Sequence, residues 1–158
     1  MPRHSPSRPV PSAAATQSWL AVVRAYHLCD AAMAQRLAGI GLRVAEHEVL
    51  LNLLLAPGIT QQQLAQRCFV AKSGASMLVT RLEQAGWLQR QADAVDARVR
   101  RLFLTPAGDA LATQGQAIQH EVIAAMVKGS SPADLKSMTE AMQRASLALE
   151  SLLQGGSD

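Results

Sequence analysis

TQQQLAQRCFVAKSGASMLVTRLEQAGWLQR, residues 60–90, carries two helices and the turn that joins them. Thr60 has the N-cap side chain, and Gln63, three positions on, completes a capping box. The spacing predicts a short helix from Gln61 to about Arg67 that turns Leu64, Ala65 and Cys68 inward. Residues 68–71 form the turn, and a second helix of roughly 72–85 places Leu78, Val79 and Leu82 on one face until Gly86 stops it. Ala65 is small where two helices must approach closely. The opposite face of the second helix carries Lys72, Ser73, Ser76, Met77, Thr80 and Arg81, donors and small groups suited to phosphates and base edges. Ala71 stands where a polar cap is expected, a loss of about 1 kcal/mol unless Ser73 substitutes. Gly74 costs helix propensity but permits close backbone approach.

Downstream, Trp87 to Arg90 reads as a short strand, a polar turn follows from Ala92 to Ala97, and Val99 to Leu104 reads as its partner. Helix, turn, helix and hairpin together make the layout of a winged helix-turn-helix, in which the second helix enters the major groove. Upstream, Val44 to Leu55 is almost wholly apolar and predicts a helix buried on most of its sides, broken by Pro57-Gly58. Before it, about Thr16 to Ala38 reads as a long helix with Trp19, Tyr26, Met33 and Ile40 every seven residues and Val23 and Leu37 in the same stripe.

Thr105-Pro106 caps and starts a further helix, with proline where a missing N–H costs nothing. Its stripe is Ala107, Leu111, Ile118, Val122 and Ala125, and Gly129 ends it. Ser131-Pro132-Ala133-Asp134 repeats the cap-and-proline start. The last helix carries Leu135, Met138, Met142, Ala145, Leu149 and Leu152 in steps of 3 and 4. So regular a seam at the end of a small chain is expected to face another helix, and a homodimer is the expected result; packing within one chain is the alternative.

The fold class expected is mainly α with a small β-hairpin wing, a winged helix-turn-helix plus a helical dimerisation region (α+β). Residues 1–15, with four prolines, read as a flexible tail ending in an alanine run that can begin a helix, 16–41 as a dimerisation helix and 42–105 as the DNA-binding domain. Residues 106–154 hold the C-terminal dimerisation helices and 155–158 a second tail.

Charge is distributed unevenly over these parts. Thr60 to Thr105 has seven basic residues against three acidic ones, a net of +4, whereas the remainder is −1. A duplex DNA partner follows naturally, since Lys and Arg that neutralise phosphates release condensed counterions. No apolar run is long enough for a membrane span, and the N-terminus lacks a secretory apolar core, so a cytoplasmic location is expected. Cys29 and Cys68 give no disulfide framework. Phosphate loops, paired catalytic acids and nucleophile motifs are missing, so neither an enzyme nor a cofactor is expected.

The longer string QRQADAVDARVRRLFLTPAGDAL, residues 89–111, resembles the wing and following helix of the MarR (multiple antibiotic resistance regulator) family. The resemblance runs from Leu42 to about Leu111. It takes in GLRVAEHEVLLNL, the reader unit, the Asp96-x-Arg98 of the wing and LTPAG at 104–108. It implies a transcriptional regulator, a repressor released from a palindromic operator by a small molecule. It also implies that Arg98 reaches a minor groove and that Asp96 orients it; of Arg100 and Arg101, which alternate across the strand, only one need face DNA. Met77 stands where relatives often have a basic or polar residue. Many members bind a phenolic or otherwise aromatic acid between dimer region and reader. For that effector the candidates are Trp19, Tyr26, His27, Arg43 and His47, with Trp19 and Tyr26 read more simply as core of the first helix. Two sensing alternatives are a reactive Cys29, disfavoured by Asp30 beside it, and a metal set of Cys29, Glu46, His47, His120 and Glu121 without ligand spacing. Another reading is a helical dimer whose winged helix binds protein.

Overall fold

The computed structural model describes residues 10–68 and 71–155, so Phe69, Val70 and the outermost parts of both expected tails lie outside the described residues. Six helices and one hairpin follow in the order α1 (Ala13–Ala38), α2 (Val44–Leu55), α3 (Gln61–Arg67), α4 (Lys72–Gln84), β1 (Leu88–Ala92), β2 (Arg100–Leu104), α5 (Pro106–Met126) and α6 (Pro132–Gly155). The chain divides into two compact units, Met1–Val122 and Ile123–Asp158. The first helix begins in the alanine run that closes the expected tail. Ser12 accepts a bond from the Ala15 N–H, and this cap fixes the start at Ala13.

In the first unit, Leu37 of α1, Leu50 and Leu53 of α2, Leu64 of α3, Val79 and Leu82 of α4, and Leu88 and Leu102 of the hairpin are buried together with Ala112 of α5. Trp19 and Tyr26 do not join them. They are 63% and 66% exposed, so only the C-terminal end of the α1 stripe, Met33 and Leu37, is core. Helix α2 is covered on most of its sides, as its composition predicts, with only Ala45, Glu48 and Leu55 exposed. Thr60 and Gln63 make the expected reciprocal cap of α3, with Gln63 N–H donating to Thr60 Oγ1 at 3.2 Å and Thr60 N–H to Gln63 Oε1 at 2.9 Å.

The hairpin is antiparallel, with Leu88 opposite Leu104 and Arg90 opposite Leu102. Both strands start a residue later than the spacing suggested, because the N–H groups of Trp87 and Val99 turn to other partners while their carbonyls still accept from Thr105 and Asp93 across the hairpin. Trp87 N–H donates to Leu82 O at the end of α4, and Val99 N–H to Asp96 O in the wing loop. The segment before α3 also pairs with β2. Gly58 N–H donates to Leu102 O (2.8 Å), Leu102 N–H donates to Ile59 O (3.0 Å), and Thr60 bridges Arg101.

Helix α5 buries Gly108, Ala112, Gly115 and Val122, while Ala107 and Ala125 of the expected stripe are exposed. The small residues face inward because they meet backbone and ring at close range. A Cβ on Gly108 would lie 1.8 Å from the Trp87 carbonyl oxygen. Thr105 locks the same junction: its hydroxyl donates to Gly86 O at 2.7 Å and accepts from the Gly108 N–H at 3.1 Å.

In the second unit, Ser131 and Asp134 cap α6 reciprocally through Asp134 N–H to Ser131 Oγ (3.2 Å) and Ser131 N–H to Asp134 Oδ2 (2.9 Å). The Ser131 hydroxyl, which donates to the same Asp134 oxygen at 2.7 Å, and then the Ser131 N–H hold the Asp134 carboxyl below the usual range. Helix α6 buries none of its residues. Its seam, including Met138, Met142, Leu149 and Leu152, is open in the single chain, and an apolar groove of about 750 Å³ runs past Met126, Met138, Met142 and Leu147. No described helix is long and apolar enough to cross a membrane.

Candidate nucleic-acid interface

Two projecting features carry the expected site: the outer face of α4 and the loop between β1 and β2. Helix α4 is held from behind by Ala75, Val79 and Leu82, all buried, so the other side of the helix must face outward. Lys72, Ser73, Met77, Thr80 and Arg81 are exposed there, and Ser76 is half-buried. No side chain caps α4 at Ala71, and Ser73 makes no substitute bond among the described residues. The first N–H groups of α4 thus lack the side-chain acceptor that a polar cap supplies, at the end where the helix dipole favours an anion.

Arg81 has a partner that sequence spacing did not suggest. Neither Glu83 nor Asp96 meets it; its Nε lies 2.6 Å from Oε1 of Glu46 on α2. Glu46 is 2% exposed and its other oxygen accepts the Arg43 N–H at 3.0 Å. One buried carboxylate thereby fixes both the start of α2 and the outer end of α4. Glu83 pairs with Arg90 instead (3.5 Å), and Arg90 also donates to the Thr80 hydroxyl at 3.3 Å.

In the wing, Asp93 is the organising residue, and sequence reasoning missed it. Its Oδ1 accepts the N–H groups of Val95 (2.9 Å) and Asp96 (3.0 Å), an arrangement its type favours in a tight turn. Its Oδ2 accepts from the Arg101 guanidinium, which also donates to Gly58 O at 2.9 Å. The Arg101 bond, followed by the two backbone bonds, pulls the Asp93 carboxyl down to about 2. Arg101 therefore braces the wing against the segment before α3 while staying partly exposed, and Arg100 is exposed. Asp96 acts differently from the expectation. It accepts the backbone N–H of Arg98 at 3.0 Å and does not hold the guanidinium. The Arg98 side chain is exposed and makes no bond among the described residues.

The effector candidates do not converge in the single chain. Trp19, Tyr26 and His27 are exposed along α1, the latter two in edge contact with ring centroids 5.5 Å apart, and Arg43 is exposed before α2. His47 is buried against α5. Its Nε2 donates to Gln119 Oε1 at 3.1 Å, and its Nδ1, pressed against Gly115, has no partner among the described residues. Desolvation lowers the His47 pKa, with the Gln119 bond opposing. Cys68 is buried, and burial together with the Glu48 charge pushes its thiol up to about 11 against the opposing pull of Arg67. Among the described residues no three His, Cys, Asp or Glu side chains gather as metal ligands, so Cys29, Glu46, His47, His120 and Glu121 are not brought together.

Helix, turn, recognition helix and braced hairpin define a winged helix-turn-helix. Residues 40–99 match the model of the MarR family. An uncharacterized HTH-type transcriptional regulator of Bacillus cereus is 29% identical over 92 residues, 58% of this chain and 60% of the relative, so the match spans about three-fifths of that protein's length. AbsC, a MarR family transcriptional regulator from Streptomyces coelicolor, superposes with a TM-score of 0.83 at 20% identity, covering 91% of this chain and 99% of AbsC. A mutant MarR from E. coli complexed with operator DNA gives 0.71 at 19% identity over 78% and 89%. BpsR of Bordetella bronchiseptica, whose DNA binding is regulated by 6-hydroxynicotinic acid, gives 0.71 at 21% over 82% and 98%. The chain is thus similar to the MarR family over residues 40–99 and shares the winged helix-turn-helix fold of that family's solved regulators.

Proposed function

We propose that the protein binds duplex DNA as a homodimer and represses transcription from a palindromic operator until a small, aromatic-type ligand releases it. The observation that carries this reading is the pairing of an uncovered α4 face with a braced wing that offers the exposed Arg98 and Arg100. A guanidinium on a narrow hairpin suits a minor groove, whose negative potential attracts it, while α4 lies in the adjacent major groove. The dimer is supported by the open seam of α6 and by the exposed aromatic end of α1. Two-fold symmetry then sets the two reader helices on half-sites about one helical turn apart. The operator complex of E. coli MarR and the ligand control of BpsR support the DNA partner and the effector class.

The test is fluorescence anisotropy at two ionic strengths on duplex from the region upstream of the protein's own gene. Arg98→Ala is expected to weaken binding by roughly 1–3 kcal/mol and to lower the salt slope by about one unit. Asp96→Ala has a smaller effect of the same sign, through the freed Arg98 backbone. A protein-binding winged helix would show no steep salt slope with wild type, and unchanged affinity in Arg98→Ala would remove the wing from the interface.

A further inference from the structure

Resting on the DNA-binding reading, we infer that Met77 is the specificity-determining side chain of α4 and that it reads a thymine methyl group in the major groove. Met77 is 74% exposed at the middle of the outward face of its helix. A helical side chain leans over the turn N-terminal to its own Cα, and here that turn offers only Ser73 and Gly74. A Cβ built on Gly74 meets nothing within 4 Å among the described residues, so none of them fills the space beside the thioether.

Of the longer polar side chains on this side, Lys72 stands at the first residue of the helix, more than a turn from Met77, and the others are committed elsewhere. Arg81 is tied to the buried carboxylate of Glu46, and Arg90 holds both Glu83 and the Thr80 hydroxyl. Guanine is read best by a guanidinium or ammonium that reaches two acceptors at once, and the middle of this face presents neither. What it presents is a flexible, polarisable apolar group flanked by small hydroxyls. The major-groove feature of matching chemistry is the C5-methyl of thymine. Desolvating Met77 against that methyl recovers apolar surface that the folded chain leaves in water.

The experiment starts from duplexes that the wild-type protein selects from a randomised pool, resynthesised with single thymines replaced by deoxyuridine, which removes only the methyl. Wild type is expected to lose roughly fourfold in affinity at one thymine per half-site, the worth of one methyl-sized group. Met77→Ala is expected to bind the thymine and uracil duplexes equally, and Met77→Arg to select guanine at that position. Because the side chain is exposed, both variants keep the fold, which circular dichroism verifies. Equal binding of all thymine and uracil duplexes by wild type overturns the inference while leaving DNA binding intact. So does a methyl effect that persists in Met77→Ala, because another residue then reads it. Failure of wild type to enrich any duplex overturns the DNA-binding reading itself.

Discussion

The first unit and the last helix satisfy their hydrophobic residues in opposite ways. In Met1–Val122, leucines from α1, α2, α3, α4 and the hairpin close over one another, and glycines at 108 and 115 admit backbone and ring at near contact. Helix α6 has an equally regular apolar seam and buries none of it. Periodicity is the same kind of signal in both places, yet it records only that a face must be covered, not by what. Interior packing answers the requirement in the first unit; for α6 the answer proposed is a second copy of the chain.

That contrast breaks most visibly at the open seam. Met142→Glu combined with Leu149→Glu is expected to shift the dimer to monomer by sedimentation velocity, with loss of operator affinity and a retained helical spectrum. A dimer that survives both charges would mean that α6 is not the interface. A substitution at the closed end should act on folding instead. Gly108→Ala places a Cβ where the Trp87 carbonyl oxygen stands, 1.8 Å away, and should destabilise by about 1–3 kcal/mol or more in urea unfolding. Unchanged stability would show that the junction of wing and α5 yields. The smallest effect concerns His47. Burial lowers its pKa from the ordinary 6.5, so the unfolded chain takes up the proton first as pH falls. The stability this group contributes is complete above that ordinary value and declines below it. Melting temperatures measured from about pH 7.5 to about 5.5 should fall more steeply for wild type than for His47→Gln. Parallel curves would mean that the imidazole protonates without penalty.

The helices, their caps and the winged layout were legible because they depend on neighbours in sequence. Thr60 and Gln63 cap α3, Pro106 follows Thr105 at the start of α5, and Val79 and Leu82, with Leu78 half-buried beside them, turn one side of α4 inward. The α5 stripe was legible only in part for a related reason: Leu111, Ile118 and Val122 do meet the core, but Gly108 and Gly115 mark a buried closeness that hydropathy does not register. Trp19 and Tyr26 share the heptad of Met33, and only the length of α1 beyond the core leaves them uncovered.

By itself the sequence determined the order of elements, the projecting basic wing, and the outward residues of α4, since each follows from local period and turn chemistry. Only the tertiary structure decided which charges are free. Arg81 meets Glu46 across 35 positions of sequence, and Arg101 spans from Asp93 in the wing to the Gly58 carbonyl before α3. Those pairings leave Arg98, Arg100 and Met77 facing outward. Charge pairing at such separations is set by how the elements pack, because a guanidinium takes the carboxylate that folding brings within reach, whatever its distance along the chain.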